Sequence, residues 1–420
     1  MFSRDNARAC VVLPVCLGAG VLLLTGCTPT LTVSTQAIDP KSAVSITANP
    51  QSGTGIDPDT RVVIEADLGR LTQVLVLGPE GEVPGILSDD GSLWTAVDTA
   101  LDYSANYTIS VQAADARGRI NTMDSSFSTL EPDKFFTAAI SPSSGETVGV
   151  GEPIVVNFNK VVENKAEVEA ALVVRTGQPV FGAWAWRDNR TVEFRPKDLW
   201  PGDMNVEVDL NLTGVQAKPG VFGEANTTDT FSFRPSMVSV VDANTHTMNV
   251  YRAGQLLRSI PVTTGKPGFE TRSGTKVLIT KERSRIMDAA TGGTSLEDPD
   301  YYRVNAEYAM RLSYSGEFVH AAPWSTGAQG SANVSHGCIG MSTANGEWWW
   351  NQNEIGDVVI VKNTPLIQGD DGNGLTVWNA KWDEWLAKSF TGAQFTQPIT
   401  TDAPQHDSFD VKALGSANNS

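Results

Sequence analysis

The chain states one pattern twice, and that repetition limits its fold more than any single residue. Pro50-Gln51-Ser52-Gly53 leads to Val62-Val63-Ile64, and Pro142-Ser143-Ser144-Gly145 leads to Ile154-Val155-Val156 at the same turn-to-strand spacing. Leu101-Asp102-Tyr103 precedes the alternating run Tyr107-Thr108-Ile109-Ser110-Val111, and its counterpart Leu199-Trp200-Pro201 precedes Val206-Glu207-Val208-Asp209-Leu210. Each copy closes on a Phe-Ser pair, Phe127-Ser128 and Phe231-Ser232. Apolar residues at every second position give a strand one apolar face, which a second sheet must cover. A repeat of roughly 90–100 residues built from short strands therefore predicts two β-sandwiches in series.

Strand rhythm makes these sandwiches immunoglobulin-like, although neither carries a Cys…Trp…Cys pattern. We place them at residues 46–132 and 133–235, after a Thr/Ser/Ala/Pro-rich tether over 28–45. The rhythm changes near residue 236. Val238–Val241 and Thr247–Tyr251 read as a hairpin, followed by strands at Leu257–Thr263 and Thr275–Thr280. Between Ser284 and Asn305 the periodicity breaks in a long stretch expected to be a lid or disordered. Strands resume at Ala309–Tyr314 and Phe318–His320, Ser342–Asn353 is the best helix candidate, and Asp357–Lys362 closes a third domain over 236–364. Trp378, Trp382 and Trp385 fall at helical spacing and predict a C-terminal subdomain over 365–390 that packs on this domain. The polar stretch 391–420 reads as a disordered tail. The fold class is mainly β.

The N-terminus bears on location. Arg4 and Arg8 precede the apolar run Val11–Leu24, which ends in Leu24-Thr25-Gly26-Cys27. This is a secretory signal over 1–27, and its end resembles a bacterial lipobox in which Cys27 carries lipid. An uncleaved anchor is the alternative, and either reading places the bulk of the chain outside the cytoplasmic membrane. The net charge of -17 argues against nucleic-acid partners and suits an envelope protein tethered by its lipid rather than by basic residues.

Cys338 is the only cysteine beyond residue 27, so a mature exported chain has a free thiol and no partner for a disulfide. It lies in Ser335-His336-Gly337-Cys338-Ile339-Gly340, downstream of His320 in Phe318-Val319-His320-Ala321-Ala322-Pro323-Trp324. An imidazole two residues away can take the thiol proton and activate the sulfur. The amides of Gly337 and Cys338 are candidates for stabilising an oxyanion. A zinc site from His320, His336 and Cys338 is the competing reading, but the spacings typical of zinc ligands are missing. His246 and His406 have no supporting context and read as surface residues.

The wider signature, Phe318 to Ser325, a Gly-rich spacer and then Ser335-His336-Gly337-Cys338, resembles that of the L,D-transpeptidases, in particular the mycobacterial type with two immunoglobulin-like domains. Thr264-Gly265-Lys266, Ile286-Met287-Asp288 and Ser313-Tyr314-Ser315-Gly316 agree with it. The resemblance implies an acyltransferase without cofactor or metal. Cys338 would attack the diaminopimelate carbonyl of a donor tetrapeptide in peptidoglycan, expelling D-Ala, and the amine of an acceptor diaminopimelate would resolve the thioester into a 3→3 cross-link. His336 is expected to be the base, oriented by a backbone carbonyl at Ala321. His320, Tyr302, Met287, Ser315 and Trp324 match positions lining the donor pocket. Gly340 departs from relatives that carry Asn or Arg there. Carbapenems are the implied inhibitors. Hydrolysis of the same thioester, an L,D-carboxypeptidase activity, and a non-catalytic wall-binding scaffold remain alternatives. The sandwiches are expected to act as spacers that lift the active site toward the wall.

Overall fold

Alternation along the strands builds three units in the computed structural model, which describes residues 41–97 and 101–399. The signal and its Cys27, most of the tether, His406 and the last part of the tail lie outside the described residues.

In the first sandwich, Asn106–Asp115 alternates strictly, burying Tyr107, Ile109, Val111 and Ala113 while the residues between them face out. It pairs with Ile120–Thr129 on one side and Gly69–Gly78 on the other. This five-stranded sheet faces a four-stranded one, Ser45–Asn49, Val63–Asp67, Leu93–Ala96 and Gly85–Leu87, around Val62, Ile64, Trp94 and Phe127. The second sandwich repeats the plan. Met204–Leu210 takes the place of Asn106–Asp115, and Pro142 directly follows strand Ala138–Ser141 as Pro50 follows Ser45–Asn49. Its two five-stranded sheets enclose Ile154, Val156, Trp184, Phe194, Trp200, Val206 and Phe233.

The third unit has two sheets. One orders Gln255–Pro261, Thr247–Arg252, Met237–Asp242, Val358–Lys362 and Gly274–Val277; the other orders Thr280–Asp288, Arg303–Arg311, Phe318–Ala321 and Ile339–Met341. Helix Thr343–Gln352 packs between them, capped by the Ser342 hydroxyl, which accepts from the Asn345 amide. Its Trp349 is fully buried and donates from Nε1 to Ser239 Oγ at 2.9 Å.

Three sequence expectations change here. The stretch 284–305 is not one loop: its arms belong to the hairpin Thr280–Asp288 and Arg303–Arg311, leaving 289–302 as the crossing segment. Charged residues on both faces, Lys281, Glu282, Arg283 and Arg285, hid that strand from an apolar-periodicity reading.

The tryptophans of the C-terminal piece also pack differently from the expectation. Arg195 of the second sandwich lies over the rings of Trp378, Trp382 and Trp385 at 5.5, 5.2 and 4.8 Å, and Trp385 Nε1 donates to the Ala183 carbonyl at 2.9 Å. The segment thus straps the second sandwich through its tryptophans, while Gln368, Asn373 and Val377–Asn379 hold its first part to the third unit at Ser273, Ser315 and strand Gly274–Val277.

Finally, the chain beyond 390 does not leave as a tail at once. Gln394–Phe395 and Gln397–Pro398 each add an edge strand, one to each sheet of the second sandwich. Buried Glu169 fixes the approach by accepting hydrogen bonds from the Phe390 and Thr391 amides, the Ser389 and Thr391 hydroxyls and Trp186 Nε1.

Candidate active site

Two short parallel strands, Phe318–Ala321 and Ile339–Met341, carry the chemistry. His320 pairs with Gly340 in register, and Cys338 lies two residues before Gly340, so the imidazole and the thiol face one cavity. The cavity holds about 430 Å³ and is lined by Cys338, His320, His336, Met287, Tyr302 and Trp324, with Gly340 in its wall.

Cys338 is 7% exposed. Its S–H donates toward the Gly316 carbonyl at 3.7 Å, with Phe318, Met287 and Ala306 packed around it. Burial pushes the thiol up to about 12, against which the Phe318 amide and Arg311 pull only partly, while Glu317 pushes it further. Cys338 therefore rests as a neutral thiol, which would need a base to act as a nucleophile.

His320, 5% exposed, is held by the carbonyl of the next residue: Nδ1 stands 2.8 Å from Ala321 O. A carbonyl only accepts, so Nδ1 carries the hydrogen and Nε2 keeps a free lone pair. Burial lowers the basicity of the ring, and the Ala321 carbonyl opposes it. Trp324, itself 54% exposed, stacks on His320 with centroids 5.8 Å apart. The anchored imidazole expected at His336 is thus His320.

His336 occupies a different setting. Gly337 has φ 113°, a left-handed conformation suited to glycine, and it turns the chain between His336 and Cys338. The His336 ring packs edge-on against Phe269 at 4.6 Å and tilted against Tyr302 at 4.7 Å, with Nε2 3.5 Å from Asp300 Oδ1. Burial and the neighbouring Lys266 lower its pKa, and Asp300 raises it.

The Gly337 amide donates to Ser335 Oγ at 3.1 Å, and that hydroxyl donates to the Cys338 carbonyl at 2.6 Å. Of the two amides proposed for an oxyanion, only that of Cys338 remains a candidate. Ser315 does not line the cavity: its hydroxyl is exposed, held by Asn373 Nδ2 at 2.8 Å and near Ser313 Oγ. Gly340 exchanges both backbone hydrogen bonds with Thr263 at 2.9 Å. A Cβ there would meet Ala322 Cβ at 3.0 Å and Thr263 Cγ2 at 3.1 Å, so glycine lets these segments close up.

Several supporting residues escaped the sequence reading. Buried Thr271 donates to the Gly337 carbonyl at 2.8 Å and accepts from the Gly265 amide. Lys276 and Glu317 form a buried ion pair at 2.5 Å below the thiol. Asn333 Oδ1 lies 2.9 Å from His246 Nδ1 and accepts from the Thr264 amide, so His246 braces the loop beside the site rather than standing free on the surface. None of these has a spacing signature, because each partner comes from a distant segment.

Comparison with known proteins places the chain in a family. Residues 236–361 match the L,D-transpeptidase catalytic domain family, and residues 53–216 match a bacterial Ig domain family that runs across both sandwiches. L,D-transpeptidase 2 of Mycobacterium tuberculosis is 35% identical over 351 residues, 83% of this chain and 84% of that protein. L,D-transpeptidase 5 of the same species is 29% identical over 92% of this chain and 86% of its own length. Among solved structures, that of the LD transpeptidase LdtMt1 in complex with imipenem aligns with 53% of this chain and 97% of its own, at 36% identity and a TM-score of 0.47. The chain belongs to the L,D-transpeptidase family.

Proposed function

We propose that this chain cross-links peptidoglycan outside the cytoplasmic membrane by a two-step acyl transfer through Cys338. One observation carries the reading: a buried thiol faces the same cavity as His320, whose Nδ1 is locked to the Ala321 carbonyl with Nε2 left free.

In the first step Nε2 of His320 takes the thiol proton as Sγ bonds to the carbonyl carbon of the diaminopimelate residue in a donor tetrapeptide. The carbon–nitrogen bond to D-Ala then breaks, and the imidazolium returns the proton to the leaving amine. In the second step the side-chain amine of an acceptor diaminopimelate attacks the thioester, the carbon–sulfur bond breaks and the thiol is restored. His320 is the base in this scheme. His336, expected in that role from its nearness in sequence, serves beside it in the substrate cavity. Trp324 over His320 and Tyr302 over His336 limit water at the reacting centre, which favours an amine over hydrolysis.

Purified protein with a disaccharide-tetrapeptide, followed by mass spectrometry, tests the reading. A dimer lacking one D-Ala, absent with Cys338→Ala, supports it. A tripeptide alone makes the chain a carboxypeptidase, and no Cys338-dependent product makes it a scaffold. Carbapenems are expected to acylate Cys338, read as a mass increase missing in Cys338→Ala. Lipid on Cys27 would tether the chain to the membrane, and a Cys27→Ala protein released into the medium checks that anchor.

A further inference from the structure

Beside the cavity, the chain sets a cation next to His336 and fills the space between them with its own carboxylate. The Lys266 amide donates to the Ser335 carbonyl at 2.9 Å, which fixes Lys266 alongside the His336 segment. Its ammonium pairs with Asp300, and Asp300 Oδ1 also lies 3.5 Å from His336 Nε2. That nitrogen is buried and, among the described residues, makes no polar contact closer than this long one to Asp300. Asp300 comes from the crossing segment 289–302, where a turn closed by Tyr301 N to Asp298 O and Asp300 N to Asp298 Oδ1 presents it. Among the described residues, the cavity walls themselves hold no lysine or arginine.

A donor that ends in D-Ala carries a carboxylate one residue beyond the bond to be broken. Inside a chain of net charge -17, that anion needs a local cation and a donor. We infer that Lys266 and His336 form the subsite for the donor's terminal carboxylate, and that Asp300 occupies it until the donor displaces it. The inference rests on the acyl-transfer reading above. In this arrangement Lys266 supplies charge, His336 supplies an N–H from Nε2, and Asp300 moves out with its segment as the substrate enters. The bound donor then has its scissile carbonyl toward Cys338, on the other side of His336. Asp300 acts as an internal competitor, so the donor's apparent affinity is reduced by the fraction of time the carboxylate sits in place.

The test compares two donors, the tetrapeptide free acid and its C-terminal amide. Turnover is followed by D-Ala or D-alaninamide release, and binding is measured calorimetrically on the Cys338→Ala protein. The unmodified chain is expected to prefer the acid by about tenfold or more. Lys266→Met should bring the two donors to within about twofold, chiefly through loss on the acid, and Lys266→Arg should restore part of the preference. Asp300→Asn should strengthen binding of the acid by roughly three- to tenfold.

Equal losses on both donors in Lys266→Met would overturn the subsite, as would weaker binding of the acid in Asp300→Asn. Absence of any Cys338-dependent release from the unmodified chain would instead sink the acyl-transfer reading, whatever the acid-to-amide ratio in binding.

Discussion

Imidazole basicity sets the acid limit of this site. Burial holds His320 below its ordinary pKa of 6.5, so the neutral form needed to accept a proton persists as the pH falls through 6.5. Acylation should therefore keep its rate into mildly acidic buffer and decline only below the usual histidine range, a limb that pre-steady-state acylation rates against pH will show. Cys338 behaves in the opposite sense. With its thiol pushed up to about 12, it holds almost no thiolate at neutral pH, and iodoacetamide should label it more slowly than free cysteine, with labelling rising as the pH climbs. Replacing the base, as in His320→Gln, should lower acylation about 10²–10⁴-fold, whereas His336→Gln should act mainly on KM. The sequence located the thiol and both histidines and paired Cys338 with His336, whereas the proposed mechanism pairs it with His320. Residues two apart share a face only in an extended strand, and Gly337 at φ 113° ends that relation between His336 and Cys338. The partner proposed here, His320, comes from a neighbouring strand, where register rather than spacing decides.

Strands that alternate apolar and polar residues were legible, as Asn106–Asp115 and Met204–Leu210 illustrate. The hairpin arm Thr280–Asp288 was not, since it carries charge on both faces and buries only Met287. Braces between elements are also invisible in a single sequence. Thr271 is one: a fully buried hydroxyl links the segment after Gly265 to the Gly337 carbonyl. In Thr271→Val both partners lose their hydrogen bond in a buried place, at a cost of about 1–3 kcal/mol. Thermal unfolding should register that loss. Because the Gly337 turn loses its support, kcat for acylation should fall more than KM rises.

At the scale of the molecule, the two sandwiches are not equivalent spacers. Val238, Val240, Val358 and Ile360 of the catalytic unit belong to the same core as Ile154, Trp200 and Phe233 of the second sandwich. Arg234 and buried Asp357 form an ion pair across the same junction at 2.8 Å. The first sandwich has a core of its own and meets the second through Tyr103, whose hydroxyl donates to the Gly223 carbonyl, accepts from the Gly214 amide and whose ring meets Phe135. Deleting the first sandwich should therefore leave unfolding temperature and activity on soluble fragments nearly unchanged, while reducing cross-linking in cells. Deleting the second should expose the shared core and give insoluble protein. Ending the chain at Ser389 removes both edge strands and most of the donors around Glu169, leaving a buried carboxylate short of partners, on the order of 3–5 kcal/mol. A chemical denaturation curve would report it. The tryptophan spacing announced a C-terminal helical piece, but its target could not be read, because Arg195 and Ala183 lie far away in sequence.

The most direct measurement is intact-protein mass spectrometry of the quenched reaction with a tetrapeptide donor, run on the unmodified chain, His320→Gln, His336→Gln and Cys338→Ala. Acyl transfer with His320 as base predicts an acyl-enzyme with loss of D-Ala in the unmodified chain, none in Cys338→Ala, a strongly slowed rise in His320→Gln and a rise in His336→Gln that recovers at high donor concentration. Acylation that survives His320→Gln at full rate and vanishes in His336→Gln would contradict it.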